Sequence, residues 1–237
     1  MRGCNRTLAS PDLPTEPVLP LLPADSREAL VLEMAKRGQR ERDDVVFDRF
    51  LPFEYRLASR HYWSPLRVVA RAAQWLDALD IRSVVDIGSG VGKFCIAAAL
   101  ATRARFVGIE HRAELIGVAR GMVRMLELEP RVRFVLGAFD EVTVPAAQCY
   151  YFFNPFGESL FRPEDQLDDE VEVSQSRSLR DIEMAERLLS AAPVGTYVIT
   201  YNGFGGPLPE DYLLLQSDAQ FPCVLRLAQK RRLGIGS

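Results

Sequence analysis

The sequence predicts an α/β fold built on a mostly parallel sheet with helices on both faces, and three observations carry that expectation. From Ser83 onward, apolar runs of strand length alternate with amphipathic runs of helix length. The strand runs are apolar throughout, as strands are when helices cover both sides of a parallel sheet. The first strand ends in a glycine turn, Gly88-Ser89-Gly90-Val91-Gly92, which leads into the next helix.

The elements follow in order. Pro11, Pro14, Pro17, Pro20 and Pro23 fall every third residue, the repeat of a polyproline II helix, so residues 1–25 read as an extended proline-rich arm. A short helix is expected from Asp25 or Ser26 to about Gly38. The charged stretch Lys36–Asp44 then leads into aromatic-rich Phe47–Tyr55. Ser64-Pro65 reads as an N-cap followed by proline at the first helical position, with Leu66, Val69, Ala73, Leu76 and Leu79 at helical spacing behind it. Residues 26–80 are therefore read as a helical accessory segment and residues 81–237 as the α/β domain.

Within that domain, strands are expected at Ser83–Ile87, Arg105–Ile109, Arg131–Leu136, Gln148–Phe153 and Thr196–Tyr201. Helices are expected at Lys93–Ala101, Ala113–Leu126 and Ser178–Ala192. Leu115, Ala119, Met122 and Leu126 share one face of the second helix. Tyr212–Gln216 and Cys223–Ala228 fit an antiparallel hairpin closing one edge of the sheet. No internal repeat is present.

Composition narrows the classes. With 237 residues, 48% hydrophobic and 26% charged, the chain is that of an ordinary globular protein, not a coiled coil or a collagen. A net charge of −3 supplies no global attraction for nucleic acid or anionic lipid. Cys4, Cys95, Cys149 and Cys223 form no Cys-x-x-Cys pair, and His61 and His111 are the only histidines, so neither a metal centre nor a disulfide framework is expected. No apolar run approaches the ~18 residues of a membrane span. The prolines interrupt any secretory apolar region, and a cytoplasmic protein with reduced thiols is the expectation.

The segment Val84-Val85-Asp86-Ile87-Gly88-Ser89-Gly90-Val91-Gly92-Lys93 has its glycines at every second position. A dinucleotide fingerprint requires Gly-x-Gly-x-x-Gly, and a P-loop requires Ser or Thr where Phe94 stands, so both alternatives fail. Glycines let the backbone pass close beneath a ligand, and the N–H groups opening the next helix suit a carboxylate. Strand two ends in Glu110, 18 residues beyond Gly92. In this combination the chain resembles the Rossmann-like, seven-strand S-adenosylmethionine (SAM)-dependent methyltransferases, over Ser83 to Tyr201.

The resemblance implies SAM as cofactor, an antiparallel last strand and a set of cofactor contacts. Gly88, Ser89, Gly90 and Gly92 would pass beneath the methionyl part, Asp86 would face its ammonium, and Glu110 would accept both ribose hydroxyls. His111 is either a contact over the adenine edge or a surface residue of the loop. After strand three comes Gly137-Ala138-Phe139-Asp140, with Ala138 where the family commonly carries an acid for the adenine amino group. Asp140, or the backbone of Ala138 and Phe139, would take that place; Asp140 reads equally well as a helix N-cap.

Strand four runs into Asn154-Pro155-Phe156-Gly157-Glu158, at the carboxyl edge where open α/β sheets bind ligands. This resembles the Asn/Asp-Pro-Pro-Tyr/Phe motif of amino-methyltransferases, without the second proline. The resemblance makes Asn154, Pro155 and Phe156 the candidate catalytic residues: it implies that the Asn154 amide oxygen and the carbonyl that follows it would accept hydrogen bonds from an amine, and that Phe156 would pack on the acceptor. The glycine turn is also similar to that of the non-SET histone-lysine methyltransferases. Pro163–Val173 contains Glu164, Asp165, Asp168, Asp169, Glu170 and Glu172 and no basic residue, which favours a cationic acceptor, a protein lysine or a small amine, over nucleic acid. His61-Tyr62-Trp63-Ser64-Pro65 resembles segments folded over the cofactor, although core packing explains Trp63 equally well. The competing classes are a SAM-binding protein without transferase activity, a nucleic-acid amino-methyltransferase and a nicotinamide-dependent oxidoreductase.

Overall fold

Five apolar runs become the parallel strands β1 (Ser83–Ile87), β2 (Arg105–Glu110), β3 (Val132–Leu136), β4 (Cys149–Phe153) and β5 (Tyr197–Tyr201). With β6 (Tyr212–Asp218) and β7 (Leu225–Lys230) they form one seven-stranded sheet in the order β3-β2-β1-β4-β5-β7-β6. The last strand, β7, is antiparallel to both of its neighbours, as the resemblance implies. This computed structural model describes residues 44–162, 166–168, 171 and 173–232. The proline-rich arm, the helix expected near residues 26–38 and Glu164, Asp165, Asp169, Glu170 and Glu172 of the acidic connection lie outside the described residues.

Helices cover both faces. On one side are α1 (Asp44–Asp48), α2 (Phe53–Tyr62), α3 (Leu66–Ala78), α4 (Lys93–Ala101) and α5 (Ala113–Met125), whose apolar residues form a continuous core with β1 and β2. Phe47, Leu51 and Trp63 of the accessory segment belong to that core. On the other side α6 (Gln175–Ala191) buries Ala185 and Leu189 against Val85, Ile87 and Phe152. The chain leaves β1 toward β2 and β3 in one direction and toward β4 and β5 in the other. That reversal opens a crevice at the carboxyl ends of β1 and β4, where an open α/β sheet binds its ligand.

Two helix starts differ from expectation. Pro65, not Ser64, stands at the N-cap of α3. The Ser64 hydroxyl instead pairs with the Tyr151 hydroxyl at 2.7 Å, and the free N–H of Leu66 is capped by the Asp44 carboxylate at 2.9 Å. The helix expected from Ser178 begins at Gln175 because Ser174 caps it, its hydroxyl accepting the Arg177 N–H at 3.2 Å.

Candidate active site

The glycine turn is tight because other elements press on it. Gly88 has φ +74°, and a Cβ there would lie 2.6 Å from the Pro155 side chain. Gly90 has φ +54°, and its Cβ would meet the Trp63 ring at 2.4 Å. An L side chain at either site is excluded by both backbone and space. Gly92 forms the N-cap of α4 and packs against Phe134 and Ala119. The Ser89 hydroxyl is buried without a hydrogen-bond partner among the described residues and lies over Gly108.

Glu110 organises this turn. Its carboxylate accepts the Gly90 N–H on Oε2 at 2.9 Å and those of His111 and Arg112 on Oε1 at 2.8 and 3.0 Å. An ionised carboxylate offers about four acceptor sites, so capacity remains on the side facing the crevice.

Beyond β4, Asn154 adopts φ +40°, a left-handed conformation that Asn tolerates better than most residues. Its N–H bonds to the Gly203 carbonyl at 2.9 Å and its carbonyl accepts the Gly157 N–H at 3.1 Å. Its side-chain amide rests on Gly157 and has no hydrogen-bond partner among the described residues. The Phe156 ring lies 5.7 Å from Phe139, and Phe153 lies 4.7 Å from Tyr201. Tyr62 meets Phe161 edge-on at 5.8 Å, so aromatic rings wall the crevice from several sides.

These groups meet in one cavity of about 700 Å³. Of the candidate residues, Gly88, Gly90, Glu110, His111, Phe139, Asn154, Pro155 and Phe156 line it, and so does Trp63. Asp86, Ser89, Gly92, Ala138 and Asp140 do not. The Asp140 carboxylate is taken by Arg177 at 2.7 Å, which replaces both the ligand contact and the N-cap expected of it. The Ala138 carbonyl closes a turn by accepting the N–H of Glu141 at 2.9 Å.

Asp86 also departs from expectation. Along β1, Val85 and Ile87 face α6, so the pleat turns Asp86 to the opposite face, where the Cys95 thiol donates to its carboxylate at 3.4 Å. It therefore does not reach out to a ligand ammonium. Burial, with a small addition from Glu110, pushes its carboxyl up to about 7, against the Cys95 hydrogen bond. In the unfolded chain the group ionises near 3.8, so between about pH 4 and 7 the folded protein holds a proton that the unfolded chain has released. Stability then falls as pH rises through that window, by up to roughly 4 kcal/mol for this group. Asp86→Asn is expected to flatten the difference in urea-unfolding free energy between pH 5 and pH 8. An identical pH dependence in parent and variant would contradict this.

Sequence reasoning missed two charged centres. Arg112, buried behind Glu110, donates to both oxygens of Glu158 at 3.0 and 2.9 Å and to Asp168 at 2.8 Å. Asp168, read as one of a row of acids inviting a cation, is thus committed to an internal partner. Lys93 is 2% exposed, and its ammonium lies 2.7 Å from Asp44, 3.0 Å from Asp48 and 3.0 Å from the Ser59 hydroxyl. It stitches α1 and α2 to the glycine turn. Its position after Gly92 was the available signal, and it suggested only a failed P-loop. No cluster of metal-ligating side chains occurs among the described residues, and no described helix is long and apolar enough to cross a membrane.

Residues 80–150, from β1 into β4, match a family model described as a methyltransferase domain. Over that stretch the chain is similar to a methyltransferase domain. The match ends before Asn154, so it does not speak to the amino-methyltransferase resemblance. No curated protein matches the chain. Among solved structures, an RNA methyltransferase from Salinibacter ruber in complex with S-adenosyl-L-homocysteine has 20% identity, covers 73% of this chain and 97% of that one, and superposes with a TM-score of 0.51. An O-methyltransferase family 2 protein from Planctomyces limnophilus, in complex with apigenin, has 16% identity, covers 85% and 65%, and also scores 0.51. The mitomycin 7-O-methyltransferase MmcR has 12% identity, covers 86% and 67%, and scores 0.50. At such identities the likeness is one of fold, and the three proteins differ in what their names say they act on or bind.

Proposed function

We propose that this methyltransferase uses SAM and transfers the methyl group to the nitrogen of an amine, a protein lysine or a small cationic amine. One observation carries the reading: the glycine turn with Glu110 and the Asn154-Pro155-Phe156 turn line the same cavity. The residues present fit SAM. A cradle at Gly88 and Gly90 that a Cβ would fill, a carboxylate held on β2 and an aromatic-walled space of about 700 Å³ suit an adenosyl amino acid. When bound, SAM supplies a sulfonium methyl for in-line displacement.

The chain's own residues then align and desolvate. Glu110 accepts the ribose hydroxyls, and the backbone at Gly88 and Gly90 admits the methionyl part. The Asn154 amide oxygen accepts an N–H of the acceptor and so aims the nitrogen lone pair, an alignment of the kind that supplies ~7–11 kcal/mol in well-oriented reactions. Ring faces at Phe153, Phe156 and Tyr201 attract the cation on arrival. An alkyl amine must lose its proton from a reference pKa of ~10.4, and burial in this apolar space favours the neutral form.

The test is twofold. Calorimetry should show S-adenosylhomocysteine binding that NAD does not displace, and labelled SAM should methylate spermidine or a lysine-rich protein. Displacement by NAD, or transfer confined to RNA or hydroxyl acceptors, overturns the reading.

Because Asn154 has φ +40°, glycine is the backbone-neutral deletion. Asn154→Gly is expected to lower turnover about 100-fold with S-adenosylhomocysteine affinity nearly unchanged. Asn154→Asp keeps the acceptor oxygen but raises the amine's pKa, so its pH–rate profile should shift to higher pH. Loss of cofactor affinity in both variants without a change in saturated turnover would reduce this segment to a turn.

A further inference from the structure

In the loop after β3, no carboxylate reaches the cavity. Ala138 is a methyl group, and Asp140 is bound by Arg177 at 2.7 Å outside the cavity lining. The opposite wall is the first two turns of α6, where Ser174, Arg177, Ser178 and Asp181, on one helical face, line the cavity. Ser178 is committed, its hydroxyl donating to the Phe156 carbonyl at 2.8 Å, and Arg177 is pinned to Asp140.

Four carboxylates line the cavity, and three are satisfied. Asp44 is held by Lys93 and the Leu66 N–H, Glu110 by three backbone N–H groups, and Glu158 by Arg112 and the Leu167 N–H. Asp181 is different. It is 8% exposed, its nearest cation is Arg177 Nε at 3.6 Å, beyond hydrogen-bond length, and it accepts no hydrogen bond among the described residues. Burial raises its pKa against the pull of Arg177, as expected of a carboxyl group short of donors. Its oxygens face the cavity with the Arg177 ion pair as their only partner among the described residues, so a ligand N–H can supply the hydrogen bond they lack.

The groups around Asp181 indicate which part of the ligand this is. Phe139 and His111 line the same cavity, and the charges of His111 and Asp140 act on Asp181. Flat rings beside a lone acceptor suit a purine bearing an amino group. We propose that Asp181 accepts a hydrogen bond from the 6-amino group of the cofactor's adenine, so that this chain reads the base from α6 and not from the loop after β3. The inference rests on the SAM reading above and assigns a specificity-determining residue to it.

The experiment compares S-adenosylhomocysteine with S-inosylhomocysteine, which carries a 6-oxo group, by calorimetry on the full chain. The parent should bind the adenosyl compound at least about tenfold more tightly, since a hydrogen bond to a charged group is replaced by oxygen facing carboxylate. Asp181→Asn keeps an acceptor oxygen and adds an N–H₂ that can donate to the 6-oxo group, so the ratio should fall below about threefold. Asp181→Ala should weaken the adenosyl compound about tenfold and, with the repulsion gone, bind the inosyl compound at least as tightly as the parent does. Thermal melting of each variant verifies the fold. An unchanged ratio in Asp181→Asn overturns the Asp181 assignment alone. A parent that binds neither compound overturns the SAM reading, and this inference with it.

Discussion

Glu110→Gln is expected to lower affinity for S-adenosylhomocysteine by about 100-fold, a larger loss than the deletion of one ribose contact would cause. The carboxylate accepts backbone N–H groups on both oxygens, Gly90 on Oε2 and His111 with Arg112 on Oε1. A glutamine amide must turn its N–H₂ toward one side or the other, and either choice sets donor against donor. Each charge-assisted bond of this kind is worth ~1.5–3 kcal/mol, and the misplaced donor also releases the turn that has to cradle the ligand. Calorimetry with circular dichroism as a fold check measures the effect. An affinity within a few-fold of the parent in a folded variant would mean that Glu110 only shapes the loop after β2 and does not hold the cofactor.

Lys93→Met is expected to destabilise the fold by about 3 kcal/mol in urea unfolding, the lower end of the cost of removing one partner of a buried ion pair. The lower end applies because Asp44 and Asp48 keep 31% and 15% of their side-chain surface exposed, so water screens part of the repulsion that the change uncovers. Asp44→Asn and Asp48→Asn, added to Lys93→Met, remove the like charges and should restore most of the loss. If the single variant is as stable as the parent, the cluster contributes no net energy. If the triple variant is no better than the single, the loss comes from packing against Phe47, whose ring lies 5.6 Å from the ammonium, and not from charge.

Most of the domain from residue 81 onward was legible because each strand is a short apolar run bounded by a turn residue, and each helix a longer run with a period near 3.6. The parallel core strands, α4 and α5 lie within one residue of where those patterns put them. Three features were not legible, for different physical reasons. A strand buried on both faces gives no alternation, so nothing in Ser83–Ile87 revealed that Asp86 points to the face away from α6. Arg112 and Lys93 find their partners 46 and 45 residues away, and residue composition does not encode such pairings. In α6 the signal was present but local: Ser174 is an ordinary N-cap residue, set behind an acidic stretch that reads as loop. The turn after β4 was legible as residue type and position. Its left-handed Asn154 and its seat on Gly88 through Pro155 exist only in three dimensions.

The ammonium of Lys93 and the ring of Trp63 have a consequence for where this protein divides. By sequence similarity the domain begins at residue 80, yet the first turn of α4 is completed by Asp44, Asp48 and Ser59, and Gly90 is covered by Trp63. The helices before residue 80 share one continuous apolar core with β1, β2, α4 and α5. They are therefore not an appendage that can melt while the sheet persists; their opening would strip a buried cation of its counter-charges and bare one side of the glycine turn at once. The match to the family model and the packed core begin at different residues, and the contacts that complete the core side of α4 reach back to Asp44.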